Sequence, residues 1–160
     1  MAVYTKINKK DIVSINNQFE IEKIIHFEGI KKGIENTNYL LKTKKNKFIL
    51  TIFEKRVSNK EIPFFMQLME ILYNSTTNCP KPLKNKNGSH LTKLKNKKAC
   101  IVSFINGKDK IKLNLKNCFE VGKVIANIHK ITKNIKISRK NSMGIKELGP
   151  LLKSIKFKSK

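Results

Sequence analysis

The stretch Gly29-Ile30-Lys31-Lys32-Gly33-Ile34-Glu35-Asn36-Thr37-Asn38 holds residue types that could grip a phosphate. Glycines let backbone N–H groups converge on an anion, and the Asn36 and Asn38 carboxamides could add side-chain donors. Two glycines four apart are common, however, and on spacing alone a flexible hairpin loop is the simpler reading. Other chemistry is poorly supplied. His26, His90 and His129 have no Cys or carboxylate partner at motif spacing, and Cys79, Cys100 and Cys118 stand 21 and 18 residues apart. Neither a zinc set nor a nucleophile–base pair follows from such spacing. The three cysteines read as reduced, mostly buried thiols. Asp11 and Asp109 are the only aspartates, the first in a leader helix and the second in a Lys-flanked loop.

Charge and composition bound the partners. The 160 residues carry 35 Lys plus Arg against 11 Asp plus Glu, a formal +24, which by itself suggests a polyanion binder. Yet 33 of those cations are Lys, and Lys, Asn and Ile together supply 73 residues. All three have A/T-rich codons, so the charge reads mainly as coding bias; a protein that reads phosphate usually keeps Arg for bidentate contacts. The load is uneven: residues 1–80 hold 13 cations and 8 anions, residues 81–160 hold 22 and 3. A basic nucleic-acid-binding module over 81–160 is the rival reading, weakened because Phe104, Phe119 and Phe157 offer no stacking platform. Hydrophobic content of 39% supports a folded domain. With no apolar h-region at the start and no apolar run near the roughly 18 residues that span a bilayer, a soluble cytoplasmic protein is expected.

The elements that would carry the Gly-bearing loop follow from periodicity. Asn8 and Asp11 ahead of Ile12, Ile15 and Phe19 predict a short capped helix. Ile24–Phe27, Tyr39–Leu41 and Phe48–Phe53 predict three antiparallel strands in a meander. Ser58-Asn59-Lys60-Glu61 reads as a capping box, with Pro63 in the first turn of a helix bearing Phe65, Leu68, Met69 and Leu72 on one face. Asn87-Gly88 predicts an exposed hairpin between Leu83 and Leu91. The apolar run Ala99–Ile105 predicts a central strand buried on both faces, and residues 114–132 a second strong helix. Beyond Thr132 the periodicity fades, and no closing element is expected after Gly149-Pro150.

This order is that of an α+β, protein-kinase-like N-lobe followed by an interlobe linker and the first helix of a C-lobe. Particular residues sharpen it. The runs Gly29–Leu41 and Phe48–Val57, Ile62-Pro63-Phe64-Phe65 with Leu68-Met69, and Cys79-Pro80-Lys81-Pro82 resemble the bacterial homoserine kinase family of the aminoglycoside/choline phosphotransferase superfamily. The likeness continues through residues 99–107, Cys118–His129 and Asn141–Leu151, so it covers nearly the whole chain but only about the first half of such an enzyme. It implies a leader helix at 1–23, a kinase-like N-lobe at 24–105, and a linker with the start of an incomplete C-lobe at 106–160.

The resemblance also implies an activity: ATP- and Mg-dependent phosphorylation of L-homoserine to O-phospho-L-homoserine, in threonine biosynthesis. In this superfamily the catalytic Asp lies in a His-Gly-Asp type loop, with a metal-binding Asn shortly after and a second Asp on a later strand. None of these is present, so no catalytic or metal-binding residue is assigned and the chain alone is expected to be inactive. The homoserine site is expected mostly in the absent lobe, which a separate C-lobe polypeptide could supply. For ATP, the likeness implies Gly33, Asn36, Thr37 and Asn38 over the phosphates and the linker backbone at Phe104 and Asn106 against adenine. Thr51 takes the strand position where kinases carry a Lys. Lys55 at the strand's end either bends back to a phosphate or faces water. Glu70 lies where a kinase's ion-pairing Glu would be, or on a solvated helix face. His129 reads as a packing or capping residue. A choline- or aminoglycoside-like phosphotransferase would look the same over this half, because its substrate-selecting residues lie downstream. Without a second lobe, helix 114–132 should leave an apolar face uncovered.

Overall fold

The computed structural model describes residues 3–55, 58–75, 77–141 and 144–154; Arg56 and the final six residues lie outside them. Helix α1 (Lys9–Gln18) opens with a reciprocal capping box: Asn8 Oδ1 accepts the Asp11 amide at 3.2 Å, and Asp11 Oδ2 accepts the Asn8 amide at 2.8 Å. Strands β1 (His26–Gly29), β2 (Thr37–Lys42) and β3 (Lys47–Ile52) follow as a meander, then helix α2 (Ile62–Asn74), strands β4 (Thr92–Leu94) and β5 (Lys97–Ser103), and helices α3 (Leu115–Thr132) and α4 (Ile145–Ser154). The sheet is antiparallel throughout, ordered β1-β2-β3-β5-β4.

Side-chain alternation along the strands builds two cores. Tyr39, Leu41, Leu50, Ile52, Ala99 and Ile101 point to one face, where Ile12, Ile15 and Phe19 of the leader cover them. Ile49, Cys100 and Val102 point to the other and meet Ile62, Met66, Phe65 and Met69 of α2. Each fully buried Leu, Ile or Phe contributes about 1.5–3 kcal/mol through its removal from water. Registers Tyr39↔Leu50 and Leu50↔Ile101 keep the leader-side row aligned across three strands. β5 is buried on both faces from Ala99 to Val102, as its continuous apolar run requires.

Four local expectations are corrected. Ser58–Glu61 forms no capping box: Glu61 is itself the N-cap of α2, without a side-chain cap bond, and Ser58 closes a turn ahead of the helix by accepting the Glu61 amide at 2.9 Å. The Glu61 carboxylate is engaged instead with Arg139, at 3.3 Å. The tight hairpin sits at Lys95-Asn96, with φ of 49° and 61°, whereas Asn87-Gly88 lies in a short loop closed by Gly88 N donating to Asn85 O at 2.8 Å. The Lys-rich flanks of Asn87-Gly88 offer no alternating apolar row to pin a strand register there. α4 runs through Pro150, eased because Gly149 has no Cβ to clash with the ring that follows it. Among the cysteines only Cys100 is fully buried; Cys79 is partly buried and Cys118 exposed.

α3 begins at the expected place, with an Asn114–Asn117 capping box, but none of its residues is buried. Leu115 is 89% and Phe119 66% exposed, so the apolar face anticipated from its period faces outward uncovered. No helix among the described residues is long and apolar enough to cross a membrane.

Candidate functional site

The loop between β1 and β2 is built at one end of the sheet. Its base is closed by Ile30 N donating to Asn38 O at 2.8 Å. Gly33 takes φ +109°, and no atom lies within 4 Å of where a Cβ would stand. The conformation therefore demands glycine, and the peptide there is open to an incoming ligand. Asn36 Oδ1 accepts the amide of Glu54 at 3.2 Å and folds the loop's end onto the end of β3.

Alternation along β2 sends Thr37 and Asn38 to opposite faces. Asn38 lies on the α2 side, where its Oδ1 accepts the Thr51 hydroxyl at 2.8 Å; Thr51, which the resemblance puts where a kinase would carry a Lys, supplies a hydroxyl and no cation. Thr37 is fully buried on the leader side. Its Oγ1 accepts the amides of Tyr4 and Thr5 at 2.9 and 3.0 Å and donates to Glu54 Oε1 at 2.7 Å, which saturates the hydroxyl.

Glu54 is the hub of this leader-side network. Its carboxylate also accepts the Thr5 hydroxyl at 2.7 Å and is ion-paired with Lys97, which in turn donates to Thr5 Oγ1 at 2.7 Å. Burial pushes the Glu54 carboxyl up, but the bonds from Lys97, Thr37 and Thr5 outweigh it and hold the group below the usual carboxylate range. Tyr4, Thr5, Glu54 and Lys97 carried no sequence signal, since each lies far along the chain from the residues it binds. Lys55 has no ion-pair or hydrogen-bond partner among the described residues. It lines a cavity of about 460 Å³ with Tyr4, Ile34, Glu35, Glu54 and Lys97.

Glu70 is elsewhere. It extends from α2 to the segment before β4, pairing with Lys84 at 2.7 Å and His90 Nε2 at 3.1 Å, and these two bonds hold its carboxyl below the usual range. His90 and His26 therefore do have carboxylate partners, the latter Glu28 at 3.1 Å. In the linker, the Phe104 amide donates to Lys47 O at 3.1 Å and the Phe104 ring lies under Lys47 Nζ, 5.6 Å from its centroid. Asn106 is exposed. Neither it nor Ile105 spends its backbone N–H or C=O on another described residue, so the linker edge is available to a planar base.

Loop amides and a free linker edge fit a nucleotide. A divalent cation is not provided for: no group of three His, Cys, Asp or Glu gathers among the described residues. Asp11 is spent on its helix cap and on Lys95 at 3.2 Å, and Asp109 pairs with Lys32 on the surface at 3.0 Å.

The comparisons agree with this architecture. The chain is 34% identical to the homoserine kinase of Parvibaculum lavamentivorans over 96% of its own length and 48% of the relative's. It is 36% identical to that of Gluconobacter oxydans, over 96% and 49%. The chain thus spans about half the length of the curated relatives it matches. Among solved structures, a spectinomycin phosphotransferase in complex with ADP and spectinomycin superposes with a TM-score of 0.65 at 15% identity, over 97% of this chain and 49% of that one; it shows the fold, a kinase-like N-lobe. The sequence profile of the phosphotransferase enzyme family matches residues 26–149, and the chain belongs to that family.

Proposed function

We propose that this chain is the nucleotide-holding part of a homoserine kinase, which transfers a phosphoryl group from ATP to the hydroxyl of L-homoserine. The observation that carries the reading is the 34–36% identity to homoserine kinases along 96% of the chain, over a lobe whose open loop and free linker edge suit a nucleotide. In this reading the backbone at Gly33 and Asn36–Asn38 faces the phosphates, the linker at Phe104 and Asn106 receives adenine, and Lys55 lines the cavity beside the loop. The units are a leader at 1–23, the lobe at 24–105, and the linker with the start of a second lobe at 106–160. Magnesium, when bound, screens phosphate charge during transfer; its ligands, the catalytic base and most of the homoserine site belong to the rest of the fold. That remainder would rest on the uncovered face of α3, whether continuous with this chain or brought by a second polypeptide, in the cytoplasm. No observation favours a nucleic-acid role.

The test has two arms. The 160-residue chain should bind a fluorescent ADP analogue saturably, with ATP competing; no competed binding up to about 1 mM would end the reading. Mixed with the second half of the Gluconobacter oxydans homoserine kinase, it should support ATP-dependent phosphorylation of homoserine that neither half shows alone. A mixture as inactive as its halves, with the chain still binding nucleotide, would keep the nucleotide lobe and remove the homoserine kinase assignment.

A further inference from the structure

Residues 3–7 precede α1 without forming a regular element, yet they are fastened at successive points along β2. The amides of Tyr4 and Thr5 both donate to Thr37 Oγ1, Tyr39 Oη donates to the Thr5 carbonyl at 3.0 Å, and the Ile7 amide donates to Tyr39 Oη at 3.3 Å. Thr37 and Tyr39 are the leader-side residues at the start of β2, so the strand's alternation creates the row to which the segment is tied. The fastening extends beyond β2. A Cβ on Gly29, at the end of β1, would stand 2.8 Å from Val3 Cγ2, so the glycine lets the segment lie directly on the strand. Tyr4 Oη donates to the carbonyl of Ile34 at 3.0 Å, in the middle of the loop. The segment therefore touches the loop's entrance, its middle and its exit.

We propose that Tyr4 and Thr5 are positioning residues: residues 3–5 act as a strap that holds the 33–38 loop from its leader side and fixes the shape it presents to a phosphate. An exposed loop turning on a glycine at φ +109° samples many shapes when untied, and that freedom must be surrendered whenever a ligand binds. The strap surrenders it in advance. The Thr37 hydroxyl, saturated by two strap amides and Glu54, anchors the strap while the loop's backbone amides stay open. Lys97 and Glu54 tie the same anchor to β5 and to the end of β3. Only the consequence for phosphate rests on the nucleotide reading; the strap's hold on the loop stands on the contacts alone.

The test is Tyr4→Phe in the full 160-residue chain, which keeps the ring and removes the donor to Ile34. Backbone order parameters of residues 33–36, measured by NMR, should fall below about 0.6, while the melting temperature stays unchanged because the lost bond is exposed. Affinity for the fluorescent ADP analogue should weaken about fivefold, the worth of one net hydrogen bond. Order parameters equal to wild type would overturn the strap whatever the affinity did. A mobile loop with unaltered affinity would overturn its role in positioning for phosphate. If the wild-type chain bound no nucleotide while Tyr4→Phe still loosened the loop, the strap would stand and the nucleotide reading would fail.

Discussion

Lys97, the first residue of β5, is ion-paired with Glu54, two residues past the end of β3, and Thr5 of the leader bonds to both. Three chain segments that meet nowhere in the sequence are thereby locked at the loop end of the sheet. Because Glu54 is largely enclosed, its loss should be felt by the whole lobe.

Glu54→Gln should destabilise the chain by about 1–3 kcal/mol at neutral pH, the worth of hydrogen bonds to a charged group. The native carboxyl sits below its ordinary value, so as pH falls the unfolded chain takes up the proton first and stability is lost on the acid side. Urea melts should therefore show wild-type stability declining below about pH 4.3, with the variant's profile flatter there. Parallel profiles for the two proteins would show that the pairing contributes nothing.

Gly29→Ala places a methyl where Val3 lies, 2.8 Å away. The backbone at 29 tolerates alanine, so the strain falls on the packing, about 1–3 kcal/mol. A thermal melt should show the drop, and Val3→Ala in the same chain should restore most of it. Failure of that rescue would mean that Val3 is not the residue displaced.

Leu50→Ala removes a fully buried side chain from the central row of the leader-side core. An expected loss of about 2–5 kcal/mol is measurable by chemical denaturation. A loss under about 1 kcal/mol would contradict the Tyr39–Leu50–Ile101 register.

Arg139 lies over the Phe65 ring at 5.0 Å and pairs with Glu61, joining the segment after α3 to the start of α2. It is one of two arginines beside 33 lysines, and a lysine cannot match a planar guanidinium that stacks and pairs at once. Arg139→Lys should cost about 0.5–1 kcal/mol and shift the Phe65 ring resonances toward those of an unstacked ring. Unmoved resonances would remove the contact.

The thiols test the burial pattern without mutation. Burial pushes Cys100 up to about 12 and raises Cys79 as well, while Cys118 stands exposed on α3. At about pH 8 a thiol reagent should modify Cys118 at once, Cys79 slowly, and Cys100 only on unfolding. Early labelling of Cys100 would place β5 outside the core.

The elements that could be read from the sequence are those whose signals are local. Asn8 and Asp11 stand three apart and cap α1 as read; the alternation of β2 and β3 and the apolar run of β5 located the interior of the sheet. What could not be read was set by distance or by competition. Glu54 and Lys97 are 43 residues apart, and no periodicity links them. The Asn87-Gly88 pair looked like the better hairpin than Lys95-Asn96, but only the second joins strands that the sheet can register. Ser58 and Glu61 had the spacing of a capping box, yet Glu61 is drawn to Arg139. Within the candidate site, the glycines and asparagines pointed to the loop and the family resemblance to the linker, whereas the leader's hold on Thr37 was invisible because Tyr4 and Thr5 resemble an ordinary chain start.

The bare flank of α3 also bears on how the chain melts. A helix of 18 residues with no fully buried side chain draws little on packing and much on its intrinsic propensity and its cap, and isolated helices of about 12–15 residues or fewer are marginal in water. The sheet with α1 and α2 thus forms one cooperative unit, and α3 opens independently at far lower free energy. Amide exchange along α3 would be fast while β3 and β5 stay protected. A partner that seats on α3 would slow that exchange without first needing to steady the sheet.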